Sequence, residues 1–267
     1  MRRLATLVLA VALQATAAAA DPDPATLVRG SEIAYRRALA AEAEKKSLNV
    51  DAAVAQRLRR IANRLVGAAQ AIEPASRSYR WEVNVRADPV ADVRAFPGGH
   101  LLINDGLVTR TGMKEDEVAA VVAFAFARLL LGHDVARLVA GADAATRSPD
   151  PNRQVLAWAD AVADAMRAPR YAAAEIEAAD RVSAELMARA AYDPRALGSA
   201  WRQLARTNTG IVVAAPVTDA RLASIDGFAR TAVPVYEETL ARAAATAPAP
   251  PMRSPTGGPP RGVPPVR

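Results

Sequence analysis

His100 and His133 are the only two histidines in the chain, and no cysteine accompanies them. Imidazole is the side chain that most often ligates zinc or moves protons near neutral pH. A zinc site normally takes three or four protein ligands, so two histidines in separate segments do not make one. Glu175 and Glu177 add carboxylates. Alone they would form a weak, unselective cation site, and such a pair more often marks a solvated helix face. Arg128 closes the run Phe124-Ala125-Phe126-Ala127-Arg128 inside a segment rich in Ala, Val, Phe and Leu. A guanidinium buried there must be paired, unless its stem carries it out to water.

The segments that must position these residues read as an α+β protein. It is mostly helical, with a small three-stranded sheet beside a central helix. Helical spacing covers Pro24–Lys46, with Ile33 and Leu39 on one face. A second helix follows an N-cap candidate at Asn49 and runs from Val50 to Ile72. Tyr79–Arg86 alternates with period two and reads as a strand. Asp92–Ala95 gives a second strand. The turn Pro97-Gly98-Gly99 feeds a third at His100–Asn104. The central helix spans Lys114–Leu131, with Glu115, Asp116 and Glu117 in its first turn, where the macrodipole favours acids. Further helices are expected at Val155–Met166, Tyr171–Ala191, Arg195–Arg206, from Asp219 behind the cap Thr218, and at Val233–Ala244.

The ends differ in composition. Arg2 and Arg3 precede a short apolar run, and Ala18-Ala19-Ala20 suits signal peptidase, so residues 1–20 read as a signal peptide. The run is too short to span a bilayer. The expectation is a periplasmic or secreted mature protein, from Asp21, with no membrane span. Residues 21–246 form the domain. Residues 247–267 form a Pro-rich tail expected to be disordered. Of the formal charge of +6, the arginines at 2, 3, 253, 261 and 267 lie outside the domain, leaving it near +1. A near-neutral domain with few aromatics is a poor nucleic-acid binder.

Three blocks, in order, resemble the family-48 zinc metallopeptidases of the HtpX and CAAX-prenyl-protease type, a gluzincin-like group. They are Ala95-Phe96-Pro97-Gly98-Gly99 with its strand, Glu115-Asp116-Glu117-Val118-Ala119-Ala120-Val121, and Ala178-Ala179-Asp180-Arg181 with Met187-Ala188-Arg189-Ala190-Ala191-Tyr192-Asp193-Pro194. Pro216–Ile225 is similar to a fourth, His-Pro-x-x-x-x-Arg-Ile. The resemblance implies a metallopeptidase scaffold whose buried helix should carry His-Glu-x-x-His. Here Phe124 and Arg128 stand at the two histidines and Ala125 at the general base. Ala178 stands at the third, carboxylate ligand, and Ala215 at the later histidine. Zinc would be the family cofactor, but its ligands are absent, so no cofactor is expected.

The resemblance also places Asp180 beside the old metal position, which makes it the expected partner of Arg128. It puts Phe96, Gly98, Gly99, Leu101 and Ile103 along a cleft, where the edge of the third strand could accept an extended polypeptide or partner protein. Three readings stay open. The chain is a non-catalytic binder, an active peptidase with unrecognised ligands, or an envelope protein working through its tail.

Overall fold

The computed structural model describes residues 23–167, 171–207 and 216–246. Nine helices and three strands are found among them: α1 Pro24–Glu44, α2 Ala52–Ile72, β1 Glu82–Arg86, β2 Val93–Phe96, β3 His100–Asn104, α3 Gly106–Thr109, α4 Glu115–Leu130, α5 His133–Ala140, α6 Pro151–Ala165, α7 Ala173–Arg189, α8 Ala196–Thr207 and α9 Asp219–Thr246. The α+β architecture expected from the sequence is what forms. The leader and the tail, residues 1–22 and 247–267, lie outside the described residues.

Local chemistry fixes most boundaries. Asp23 accepts from Ala25 N and caps α1, with Pro24 at its first position. Asp51, not Asn49, caps α2. Asn49 instead turns to φ 53°, and its side-chain oxygen accepts from Val85 N and from Arg59. Glu117 reaches back to Lys114 N at 2.9 Å and closes the entry to α4. Gly132, left-handed at φ 67°, ends the first run, and α5 leaves at 50° to α4. Thr218 caps α9 by accepting from Arg221 N. The two helices expected after it are one, with Pro234 inside.

The sheet order is β1-β3-β2, with β1 parallel and β2 antiparallel to β3. Both faces are covered, which is why β3 reads as nearly continuous apolar sequence. Leu101 and Ile103 belong to the main core with Val85, Val93 and Ala95, around α2, α4, α7 and α8. Phe96 and Leu102 belong to a second core with Leu27, Tyr35, Trp158 and Val162 of α1 and α6. Tyr35 donates to Leu101 O at 3.2 Å and accepts from Asn84 Nδ2 at 2.8 Å. Burial pushes its hydroxyl up to about 12. No single helix among the described residues is long and apolar enough to cross a membrane. The bent pair α4–α5 passes on length and composition only, and α4 is buried in the core.

This topology corrects the cleft expected from the sequence. β3 is the central strand, so neither of its edges is free. Phe96, Leu101 and Ile103 are core residues, none more than 2% exposed. The outer side of β1 is occupied. Asn49 N donates to Val85 O, Ala87 N to Ser47 O, and Arg59 Nε to Val83 O. On β2, Val93 and Ala95 are buried as well. A central strand, with the outer side of β1 also occupied, cannot recruit another strand there.

Candidate functional site

The chemistry expected of the scaffold would sit where α4 meets α7 and the start of α9. α4 brings Phe124, Ala125 and Arg128 there, all buried. Its apolar residues fall on every side, so it can be stable only inside the core, against the stacked pair Trp81–Phe126 (4.8 Å, 4° between planes) and the helices around it. α7 brings Ala178 and Asp180. Ala215 lies outside the described residues.

Phe124 packs edge-on against Trp201 of α8, with ring centroids 5.0 Å apart. The guanidinium of Arg221, from α9, lies 4.4 Å from the Trp201 ring centre and 5.5 Å from that of Phe124. Its Nε donates to Asp180 Oδ2 at 2.7 Å and its Nη2 to Asp180 Oδ1 at 2.9 Å. This is a bidentate, charge-assisted pair with side chains 9% and 1% exposed. Burial pushes the Asp180 carboxyl above its usual value, while the Arg221 bonds pull the other way.

The expected Arg128–Asp180 pair is therefore wrong. Asp180 is engaged by Arg221 on both oxygens. Arg128 instead donates from Nη1 to the Tyr171 hydroxyl, which donates to Asp134 Oδ1 at 2.6 Å. Arg137 donates to the same Asp134 oxygen at 2.9 Å, and the guanidiniums of Arg128 and Arg137 each lie 4.7 Å from the Tyr171 ring centre. The counter-charge of Arg128 is thus Asp134, relayed through a phenol. Burial, first of all, raises the Tyr171 pKa far above that of free phenol, so the hydroxyl stays protonated and can make that relay. Asp180 and Arg221 join the third and fourth sequence blocks. The arginine of the fourth block was the signal that could have named the true partner.

The residues present do not fit a metal. Phe124 and Ala178 have no donor atom, Ala125 cannot act as a base, and Arg128 and Arg221 are permanent cations that repel one. Among the described residues no group of three or more His, Cys, Asp and Glu could hold a metal ion. His133 opens α5, with Nδ1 unbonded. His100 sits on the α1 side of the sheet, its ring 4.8 Å from that of Tyr35. Glu177 makes a long 3.5 Å contact with Arg181 on the solvent side of α7, and Glu175 caps that helix through Ala172 N. A cavity of about 360 Å³ opens beside the ion pair, bordered by Ile176, Glu177, Pro216, Thr218, Ala220 and Arg221.

The model of peptidase family M48 matches residues 52–229, more than half of the chain. The chain belongs to peptidase family M48. α1 precedes the matched segment, and the match runs from the start of α2 into α9. A search of curated proteins found no match. The M48 match takes in α4, the sheet and the α7–α9 contact. Phe124, Ala125, Arg128 and Ala178 all lie within the matched segment.

Proposed function

We propose that this M48 protein is a secreted or periplasmic, non-catalytic member of its family that binds polypeptide or a partner protein. The observation that carries the reading is the Arg221–Asp180 pair stacked on Phe124 and Trp201. A fixed organic cation, tied to a carboxylate and two rings, stands among the positions where a metal-centred site would need donors. At the positions named from the resemblance, no side chain can hold a metal or take a proton from water. What remains is recognition. The cavity between α7 and α9 has an apolar wall from Ile176, Pro216 and Ala220, with Glu177 and Thr218 at its polar side, and suits an apolar side chain of an extended chain. With β3 central and the outer side of β1 occupied, this groove is the surface proposed for that role.

Elemental analysis and a binding assay test the proposal together. Purified protein should carry well under one zinc per chain and leave casein and prenylated peptides uncut. It should still bind unfolded casein in fluorescence anisotropy. Ala220→Trp, at the exposed rim, should fill the cavity and weaken that binding without lowering the melting temperature. Stoichiometric zinc, lost with a chelator together with proteolysis, would refute the reading. The mature mass of exported protein should correspond to a start at Asp21.

A further inference from the structure

A second cavity of about 360 Å³ shares no bordering residue with the one between α7 and α9. It sits between the start of α1, the segment before β1 and the β2–β3 turn. Six residues give it its chemistry: Arg29, Glu32, Tyr79, Arg80, Gly98 and His100. His100 is 1% exposed, and neither ring nitrogen has a hydrogen-bond partner. A buried imidazole with both nitrogens unmet is costly, yet its ring is held against that of Tyr35, 4.8 Å between centroids and tilted by 33°. The charged groups around the cavity are also loosely used. Among the described residues Arg29 donates to the Thr26 hydroxyl at 3.1 Å and its charge also acts on Asp23. Arg80 approaches Glu32 no closer than 3.6 Å, with its side chain 80% exposed.

We infer that this cavity binds a small zwitterion of the α-amino-acid class. Its carboxylate would face Arg29, Arg80 and the His100 N–H, and its ammonium would face Glu32. The guanidiniums of Arg29 and Arg80 outnumber the single carboxylate of Glu32, which calls for an anionic group on the ligand. Glu32, 3.6 Å from Arg80, disfavours a doubly charged anion such as phosphate and calls for a cationic or donor group beside the carboxylate. A metal ion is disfavoured because His100 and Glu32 are only two ligands and two guanidiniums stand next to them. The volume suits a molecule of this size. The Tyr79 ring at the wall gives an apolar side chain a surface to lie on.

With only two histidines in the chain, the His100 imidazole ¹⁵N signals can be followed one by one in the full chain. Glycine, alanine and phenylalanine should shift them, with a Kd of about 1 mM or tighter for the best of the three. N-acetylalanine lacks the ammonium and alaninamide lacks the carboxylate. Each should bind at least tenfold more weakly, as should a tripeptide, whose two charges lie too far apart. Arg29→Met and Glu32→Gln, both near the surface, should each weaken alanine binding at least fivefold with the fold intact. His100→Phe, which keeps a ring against Tyr35, should do the same by calorimetry. The inference is overturned if no free amino acid moves the His100 signals at tens of millimolar, if the capped or tripeptide probes bind as well, or if Arg29→Met and Glu32→Gln leave the affinity unchanged. None of these results touches the reading of the α7–α9 cavity, whose probe is unfolded casein.

Discussion

Replacing Arg221 with methionine should show how much the ion pair contributes. The substitution keeps an unbranched apolar stem against Trp201 but leaves Asp180, 1% exposed, without its two bonds at 2.7 and 2.9 Å. Removing one partner of a buried pair costs about 3–5 kcal/mol, because the survivor is a desolvated charge. The lost stacking on Trp201 and Phe124 is worth roughly 1 kcal/mol more. In a domain of this size, about 4 kcal/mol should lower the melting temperature by roughly 10 °C. Asp180→Leu should cost about 3–5 kcal/mol for the mirror-image reason, and the double variant should recover much of the loss. Urea midpoints of the four proteins give a coupling of about 2–4 kcal/mol. The same cycle with Arg128→Met in place of Arg221→Met should give a coupling near zero, since Arg128 answers to Tyr171 and Asp134. A coupling below about 0.5 kcal/mol for Arg221 with Asp180, or a larger one for Arg128, would defeat the assignment.

Acid should destabilise the protein through its histidines. Burial, first of all, lowers the pKa of both His100 and His133 below 6.5, with Glu32 and Glu82 opposing at His100 and Glu175 and Asp134 at His133. The unfolded chain therefore takes up the proton first, so stability that is whole above pH 6.5 drains away as pH falls through the folded values. Melting temperatures at pH 7.5 and 5.5 should differ, and His100→Phe should shrink the difference; an unchanged difference counts against the burial argument. Gly30→Ala should loosen the α1–α6 contact by about 1–3 kcal/mol, because a Cβ there would lie 2.5 Å from Trp158 Cβ and 2.9 Å from backbone of Val155 and Ala159. A lower urea midpoint for the Gly30→Ala variant would report it, and an unchanged midpoint would contradict the close packing.

Much of the fold was legible because local signals agreed. The Pro-Gly-Gly turn set β3, and the acidic first turn set α4. Where the reading slipped, a non-local contact or a missed cap was responsible. Asn49 looked like a cap, but its side chain bonds β1 and the cap is Asp51. Asp150 and Pro151 start α6 before the apolar spacing begins, and the expected helix started at Val155. The site was half legible. The residue types at the positions named from the resemblance are plain in the sequence, and how they pack is not. The partner of Asp180 depended on which arginine reached it, and period and composition do not carry that distance. Strand order was likewise hidden. Placing β3 between β1 and β2 turns a supposed edge into a centre, and alternation along one strand says nothing about its neighbours.

The pairing of α1 with α6 has a consequence for how the chain comes to be folded. These helices make the largest helix–helix contact in the described fold, yet α1 ends at Glu44 and α6 starts at Pro151. A chain made or exported N-terminus first presents the apolar face of α1, with Leu27 and Tyr35, long before Trp158 exists to cover it. At ordinary synthesis rates the delay is roughly 5–20 s. During that interval the helix is a sticky, half-made surface, and the late closure of so long a loop slows the final step. A chaperone that holds α1 would shorten the hazard, and cutting the chain down to the M48 segment would leave the back of the sheet without its cover.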